Sequence, residues 1–93
     1  EYCILSILSN HDAYASDIIK KMKEAKLIVV EGTLYPLLTR LKNAKLLSYR
    51  WEESSQGPPR KYYEITDLGK MFLSELDTSW KALVEAVNLI NQN

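Results

Sequence analysis

Leu73, Leu76, Trp80, Leu83, Val87 and Ile90 follow one another at spacings of 3, 4, 3, 4 and 3 residues. That is an a/d heptad seam, and it requires a helix of most of three heptads carrying one apolar stripe. A chain of 93 residues is enough for one domain and too short for two conventional ones. Leu73 and Leu76 can pack onto so small a body, but the stripe runs on through Ile90. An exposed apolar band of that length marks an interface. The expectation is a homodimer in which two such helices meet across a two-fold axis, against the plainer reading of a helix docked on its own domain.

The remaining elements are read from the same periodicities. Residues 2–8 are apolar on nearly every side, as in a buried helix. After a polar break at residues 9–12, Ser16 can cap a second helix in which Ile18, Ile19, Met22 and Ala25 keep helical spacing. Leu27 to Val30 is β-branched enough to pair as one small strand. Leu34, Leu37, Leu38 and Leu41 then form a third helical stripe, with Thr33 as the expected N-cap and Pro36 in its first turn. Leu47, Tyr49 and Trp51 alternate with polar residues as a strand, and Lys61 to Ile65 alternate again. The eight residues between Trp51–Glu52 and Lys61 include Gly57-Pro58-Pro59 and predict a long, stiff hairpin tip. Thr66 and Asp67 suit the cap of the heptad helix.

This order is that of a winged helix-turn-helix, mainly α with a small β-hairpin, followed by a long C-terminal dimerisation helix. The division expected is 1–66 for the winged unit and 67–93 for the helix. The polar face of the third helix bears Thr33, Tyr35, Pro36, Thr39, Arg40, Lys42 and Asn43. In a helix-turn-helix the second helix of the pair enters the major groove, where such side chains meet bases and phosphates. Formal net charge is zero, yet residues 40–61 hold six basic residues against two acidic ones, and residues 67–93 hold two against four. Local charge decides the field that a phosphate backbone meets. Gly57, Pro58, Arg60 and Lys61 belong to the hairpin that would reach the backbone or minor groove. The competing readings are an ordinary solvated helix face, and an interaction or small-molecule-sensing module that leaves DNA alone.

Other chemistries find little support. Apolar residues at 46% and charged ones at 26% exclude a disordered chain. The longest aliphatic run, residues 27–30, is far short of the roughly 20 residues of a membrane span. Cys3 is the only cysteine, so no intrachain disulfide or cysteine-cluster metal site can form, and a reducing cytoplasm is the expected home. Cys3 is expected in the core and His11 in a loop; along one helix they would stand about 12 Å apart, beyond reach for a catalytic pair. Glu52 and Glu53 would point to opposite faces of a strand. No enzyme, metal or cofactor is implied. The first residue is Glu1 rather than Met, so further residues are expected upstream.

Two blocks of residues match something known. Glu31-Gly32-Thr33-Leu34-Tyr35-Pro36-Leu37-Leu38, continuing through Arg40-Leu41 and Leu46-Leu47, resembles the PadR family of bacterial transcriptional regulators. So do Gly57-Pro58-Pro59-Arg60-Lys61-Tyr62-Tyr63 and Ile65-Thr66-Asp67-Leu68-Gly69-Lys70. The resemblance spans essentially the whole chain. It implies a winged-helix homodimer that binds double-stranded DNA at palindromic operators, usually as a repressor and often released by a small molecule. It places Thr33, Tyr35 and Pro36 in the recognition helix and Gly57, Pro58, Arg60 and Lys61 in the wing. With a single helix after the wing, the chain looks like the compact subfamily, some of whose members hold flat aromatic compounds between paired tryptophans. Trp80 lies in a suitable part of the last helix for a small aromatic or phenolic effector. Val30 departs from the pattern, standing where relatives commonly have a small capping residue.

Overall fold

The apolar run near the start of the chain becomes a helix that touches most other elements of the core. The structure, a computed structural model, describes residues 1–54 and 57–92, apart from the side chains of residues 31 and 54. Helix α1 (Tyr2–Asn10) buries Ile4, Leu5 and Leu8 and packs against α2 (Ala15–Glu24), the sheet and the last helix. α2 buries Ala15, Ile18, Ile19 and Met22 and leaves its lysines in water. Leu34, Leu38 and Leu41 of α3 (Glu31–Asn43) complete the core, as their spacing predicts. Cys3 differs from expectation. It is exposed, because the buried face of α1 is the one carrying residues 4, 5 and 8.

Helix starts differ from the predicted caps. α2 begins at Ala15, so Ser16 is its second residue, and the Asp17 carboxylate accepts instead from the Tyr14 backbone N–H at 3.1 Å. α3 begins two residues before Thr33, with Val30 at the N-cap. The Val30 carbonyl accepts from both Thr33 and Leu34, at 2.9 and 3.2 Å, which tightens the first turn. Pro36 thereby becomes the sixth helical residue, where it removes a donor that an ordinary residue would offer to the Gly32 carbonyl. Both helices end in a Schellman arrangement. Lys26 and Lys45 take φ of 64° and 65°, and the next N–H in each case, of Leu27 or Leu46, returns to the carbonyl of Met22 or Leu41.

The predicted strand at residues 27–30 is absent. The chain there leaves the αL turn at Lys26 without a partner strand, Val29 packs on the core, and Ile28 is 99% exposed. The third strand is instead β1 (Ala13–Tyr14), too short to show a period. It pairs with β3 (Gly57–Ile65), which pairs with β2 (Leu47–Ser54), all antiparallel in the order β1-β3-β2. Pairing climbs further up the hairpin than predicted, to Ser54 opposite Gly57. Between Glu52–Arg60 and Ser54–Gly57 the two prolines oppose one residue, a bulge that absorbs their missing donors. Residues 55 and 56, part of the expected tip, lie outside the described residues.

Helix α4 (Asp67–Asn91) is anchored at its first turn. The Thr66 hydroxyl accepts from the Gly69 N–H at 3.0 Å and donates to the Lys45 carbonyl at 2.7 Å, while the Thr66 N–H donates to the Leu46 carbonyl. A Cβ on Gly69 would stand 2.2 Å from the Leu46 carbonyl oxygen, so backbone meets backbone there. The heptad seam is divided by this docking. Leu73 is buried in the monomer core and Leu76 packs on it, so within one chain these two of the expected dimerisation residues serve the body of the domain. Trp80, Leu83, Val87 and Ile90 stay exposed on a helix that stretches the molecule to 58 × 27 × 21 Å. The architecture is a winged helix-turn-helix with one long C-terminal helix.

Two stability outcomes follow from these turns. Gly69→Ala must displace the Leu46 carbonyl and is expected to cost about 2–3 kcal/mol, lowering Tm by roughly 10 °C or more at fixed protein concentration. Lys26→Gly relieves an αL strain and should stabilise by about 1 kcal/mol, read as a higher urea midpoint at unchanged slope.

Candidate nucleic-acid interface

The buried leucines of α3 turn its opposite side outward. Thr33, Tyr35, Pro36, Thr39, Arg40, Lys42 and Asn43 are all exposed, as the spacing predicts. Tyr35, Thr39 and Asn43 stand four residues apart and so form one line along the helix. The structure then separates the two edges of this face. On the hairpin edge, Tyr35 joins Tyr14, Ser16, Trp51, Arg60, Lys61 and Tyr63 around a concavity of about 290 Å³. Lys42 lies on the same side, its Nζ 5.6 Å from the centre of the Tyr49 ring. On the other edge, Arg40 forms a 2.7 Å ion pair with Glu1 and borders a groove lined by Leu68, Met71 and Phe72. Arg40 is thus held beside the starts of α1 and α4, apart from the other basic residues of the predicted set.

The hairpin is two-sided in charge. Strand alternation places Tyr49 and Trp51 of β2 with Lys61 and Tyr63 of β3 on one face. There the Lys61 Nζ sits 4.6 Å from the Tyr49 ring centre and 5.5 Å from that of Trp51. Burial pushes the Tyr63 hydroxyl above its ordinary pKa, so it stays a neutral donor. The other face carries Arg50, which meets Glu52 at 2.8 Å, Glu64 at 3.4 Å and Asp12 at 3.8 Å. The hydrogen bond that Arg50 donates to the Glu52 carboxylate raises the guanidinium's pKa, and three carboxylates offset its charge. Arg60, at the rim, stacks 4.1 Å over the Tyr14 ring and donates to the Ser16 hydroxyl. Among the described residues, Lys42, Arg60 and Lys61 have no carboxylate within 4.0 Å.

Of the predicted residues, the structure therefore gathers Tyr35, Arg60 and Lys61, with Lys42 beside them. It leaves Gly57 and Pro58 exposed at the far end of the hairpin and Arg40 on the opposite edge. Tyr14, Ser16, Tyr49 and Trp51 were not predicted. Tyr49 and Trp51 do share strand phase with Tyr63 and Lys61, a usable signal; Tyr14 and Ser16 reach the site only through the pairing of β1.

A second region surrounds Trp80, which is 53% exposed. Its ring meets that of Tyr2 edge-on at 6.4 Å, and the Tyr2 hydroxyl donates to the Asp77 carboxylate, which raises the Tyr2 pKa. With Cys3, Ile7, Met22 and Leu27 these rings line an apolar cavity of about 620 Å³. Beyond it Leu83, Val84, Val87, Leu89 and Ile90 are exposed. Among the described residues no cluster of three His, Cys, Asp or Glu side chains could hold a metal ion, and no helix is long and apolar enough to cross a membrane.

Comparison with known proteins places this geometry. A solved PadR-like transcription factor from Bacteroides fragilis is 68% identical, with a TM-score of 0.87 over 96% of this chain and 86% of that one. A PadR-like transcriptional regulator from Bacillus cereus is 40% identical, with a TM-score of 0.87 over 99% and 90%. An uncharacterised protein of Lysinibacillus sphaericus is 33% identical over 89 residues, 92% of this chain and 82% of that one. The family model that matches residues 4–75, described as the transcriptional regulator PadR-like family, covers α1, the helix-turn-helix, the hairpin and the anchored start of α4. A match over residues 4–75, in a chain that folds as a winged helix with one long C-terminal helix, settles the family: the chain belongs to the PadR-like family of transcriptional regulators.

Proposed function

We propose that the chain is a sequence-specific regulator that binds double-stranded DNA as a homodimer, acting as a repressor at a palindromic operator and responding to a small aromatic or phenolic effector. The observation that carries this reading is the cluster of Lys42, Arg60 and Lys61 beside Tyr35, cations that among the described residues have no carboxylate at hand, on a concave edge shared by α3 and the wing. Tyr35, Thr39 and Asn43 would face base edges, and the basic residues would meet phosphates. Neutralising phosphates releases counterions, so affinity falls steeply with salt. Replacing Arg60 and Lys61 together by alanine should flatten the slope of log K against log salt by about two. A slope unchanged in that variant removes the wing from the backbone.

The exposed end of α4 supports the two-fold partner. Trp80, Leu83, Val84, Val87, Leu89 and Ile90 present six large apolar side chains on each copy. Full burial of an aliphatic side chain is worth about 1.5–3 kcal/mol, so covering the exposed parts of Leu83, Val84, Val87 and Ile90 on both copies, with Trp80 beside them, is of the same order as an association cost of roughly 4–15 kcal/mol. Two reading helices would then approach half-sites about one turn of DNA apart. Leu83→Glu with Val87→Glu should convert a dimer to a folded monomer in analytical ultracentrifugation and cut operator affinity at least a hundredfold.

For the effector, the supporting feature is the apolar cavity beside Trp80. In a Trp51→Phe background, fluorescence comes from Trp80 alone. A planar phenolic compound that also weakens operator binding is expected to quench it saturably, and quenching without any change in DNA affinity would detach the cavity from regulation.

A further inference from the structure

Among the described residues, six basic side chains have an ion-pair or aromatic neighbour, and they divide by the kind of neighbour. Lys21, Arg40 and Arg50 meet carboxylates, those of Glu24, Glu1, and the trio of Asp12, Glu52 and Glu64. Lys42, Arg60 and Lys61 meet aromatic faces instead: Tyr49 for Lys42, Tyr14 for Arg60, and Tyr49 with Trp51 for Lys61. The second group is the one gathered along the edge shared by α3 and the hairpin. Arg50 also stacks, on Tyr62 at 4.6 Å, but its carboxylates offset its charge.

The two kinds of neighbour differ in what they leave behind. A carboxylate orders a cation and cancels its charge, and it repels an incoming phosphate. A ring face orders the cation through its quadrupole and leaves the full charge to act outward. Resting on the reading that this edge binds DNA, we infer that Tyr49 and Tyr14 are positioning residues for phosphate recognition, holding Lys42, Lys61 and Arg60 in place before the duplex arrives. Tyr49 receives one ammonium from the reading helix and one from the wing, so a single ring ties together two elements far apart in sequence. Both rings are themselves held. Tyr49 is half-buried and makes edge contacts with Trp51 and tilted contact with Tyr63, each at 5.9 Å. Tyr14 pairs opposite Tyr62 in the sheet and meets its ring edge-on at 4.9 Å. Ordering long side chains in advance removes part of the entropy lost on binding.

The test compares ring removal with ring retention. Binding of the full chain to a fluorescently labelled, mixed-sequence duplex of about three helical turns is measured across a salt series for wild type, Tyr49→Leu, Tyr49→Phe, Tyr14→Leu and Tyr14→Phe. The leucine variants are expected to bind about five- to tenfold more weakly at low salt, with a salt slope smaller by about one, while the phenylalanine variants stay within about twofold of wild type. Leucine and phenylalanine variants that behave alike, with the wild-type slope, overturn the inference. Ring-current shifts decide it independently of any variant's folding. The ε-methylene protons of Lys42 and Lys61 and the δ-methylene protons of Arg60 should resonate upfield in the wild-type protein, and random-coil positions overturn the inference. A wild-type affinity indifferent to salt defeats the DNA reading itself, a result distinct from either.

Discussion

The turn that joins α3 to the sheet also receives the start of α4, and that junction sets the geometry of everything else. Three hydrogen bonds converge there, two made by the Thr66 side chain and one by its backbone N–H, on the carbonyls of Lys45 and Leu46 and the amide of Gly69. Only a residue without a Cβ permits α4 to come so close, because the Leu46 carbonyl oxygen fills the place a Cβ would take. Through this contact the end of α3, the first residue of β2 and the last residue of β3 share one small volume. The hairpin and α3 are therefore fixed relative to each other by backbone packing at Gly69 and by the short Thr66 side chain.

On that frame the electrostatics are sorted by side. The back of the hairpin holds Arg50 among three carboxylates, and the front carries Lys61 over tyrosine and tryptophan. A total charge of zero conceals this separation completely. The chain can thus remain near neutral as a whole while one edge presents a concentrated positive field.

Much of this was legible in the residues because it rests on repetition. The stripe of Leu34, Leu38 and Leu41, the alternation through Tyr49 and Trp51, and the spacing from Leu73 to Ile90 each recur often enough to define a period. The features that escaped have no period to show. β1 is two residues long and exists because Tyr62 and Tyr63 offer it a partner. The β-branched run at residues 27–30 has strand composition but no neighbouring strand. Thr33 has the better capping side chain, yet the helix starts earlier because the Val30 carbonyl collects two amides. Lysine at both αL positions hides turns that glycine would have announced. Of the residues that their type suggested for the site, Tyr35, Arg60 and Lys61 lie together around one concavity, whereas the turning aside of Arg40 depends on Glu1, far away in sequence.

The 25-residue α4 is continuous from the core to its exposed end, with Gly69 and Leu73 at one end and Ile90 at the other. At 1.5 Å per residue it is a stiff rod of about 38 Å with no joint along it. Tilting such a rod by about 5° about its anchored end carries the far end through about 3 Å, over a length set by the helical rise. In the proposed homodimer, small adjustments where two copies cross would be geared up into ångström-scale changes in the distance between their α3 helices, a distance that DNA, with its fixed pitch, does not forgive.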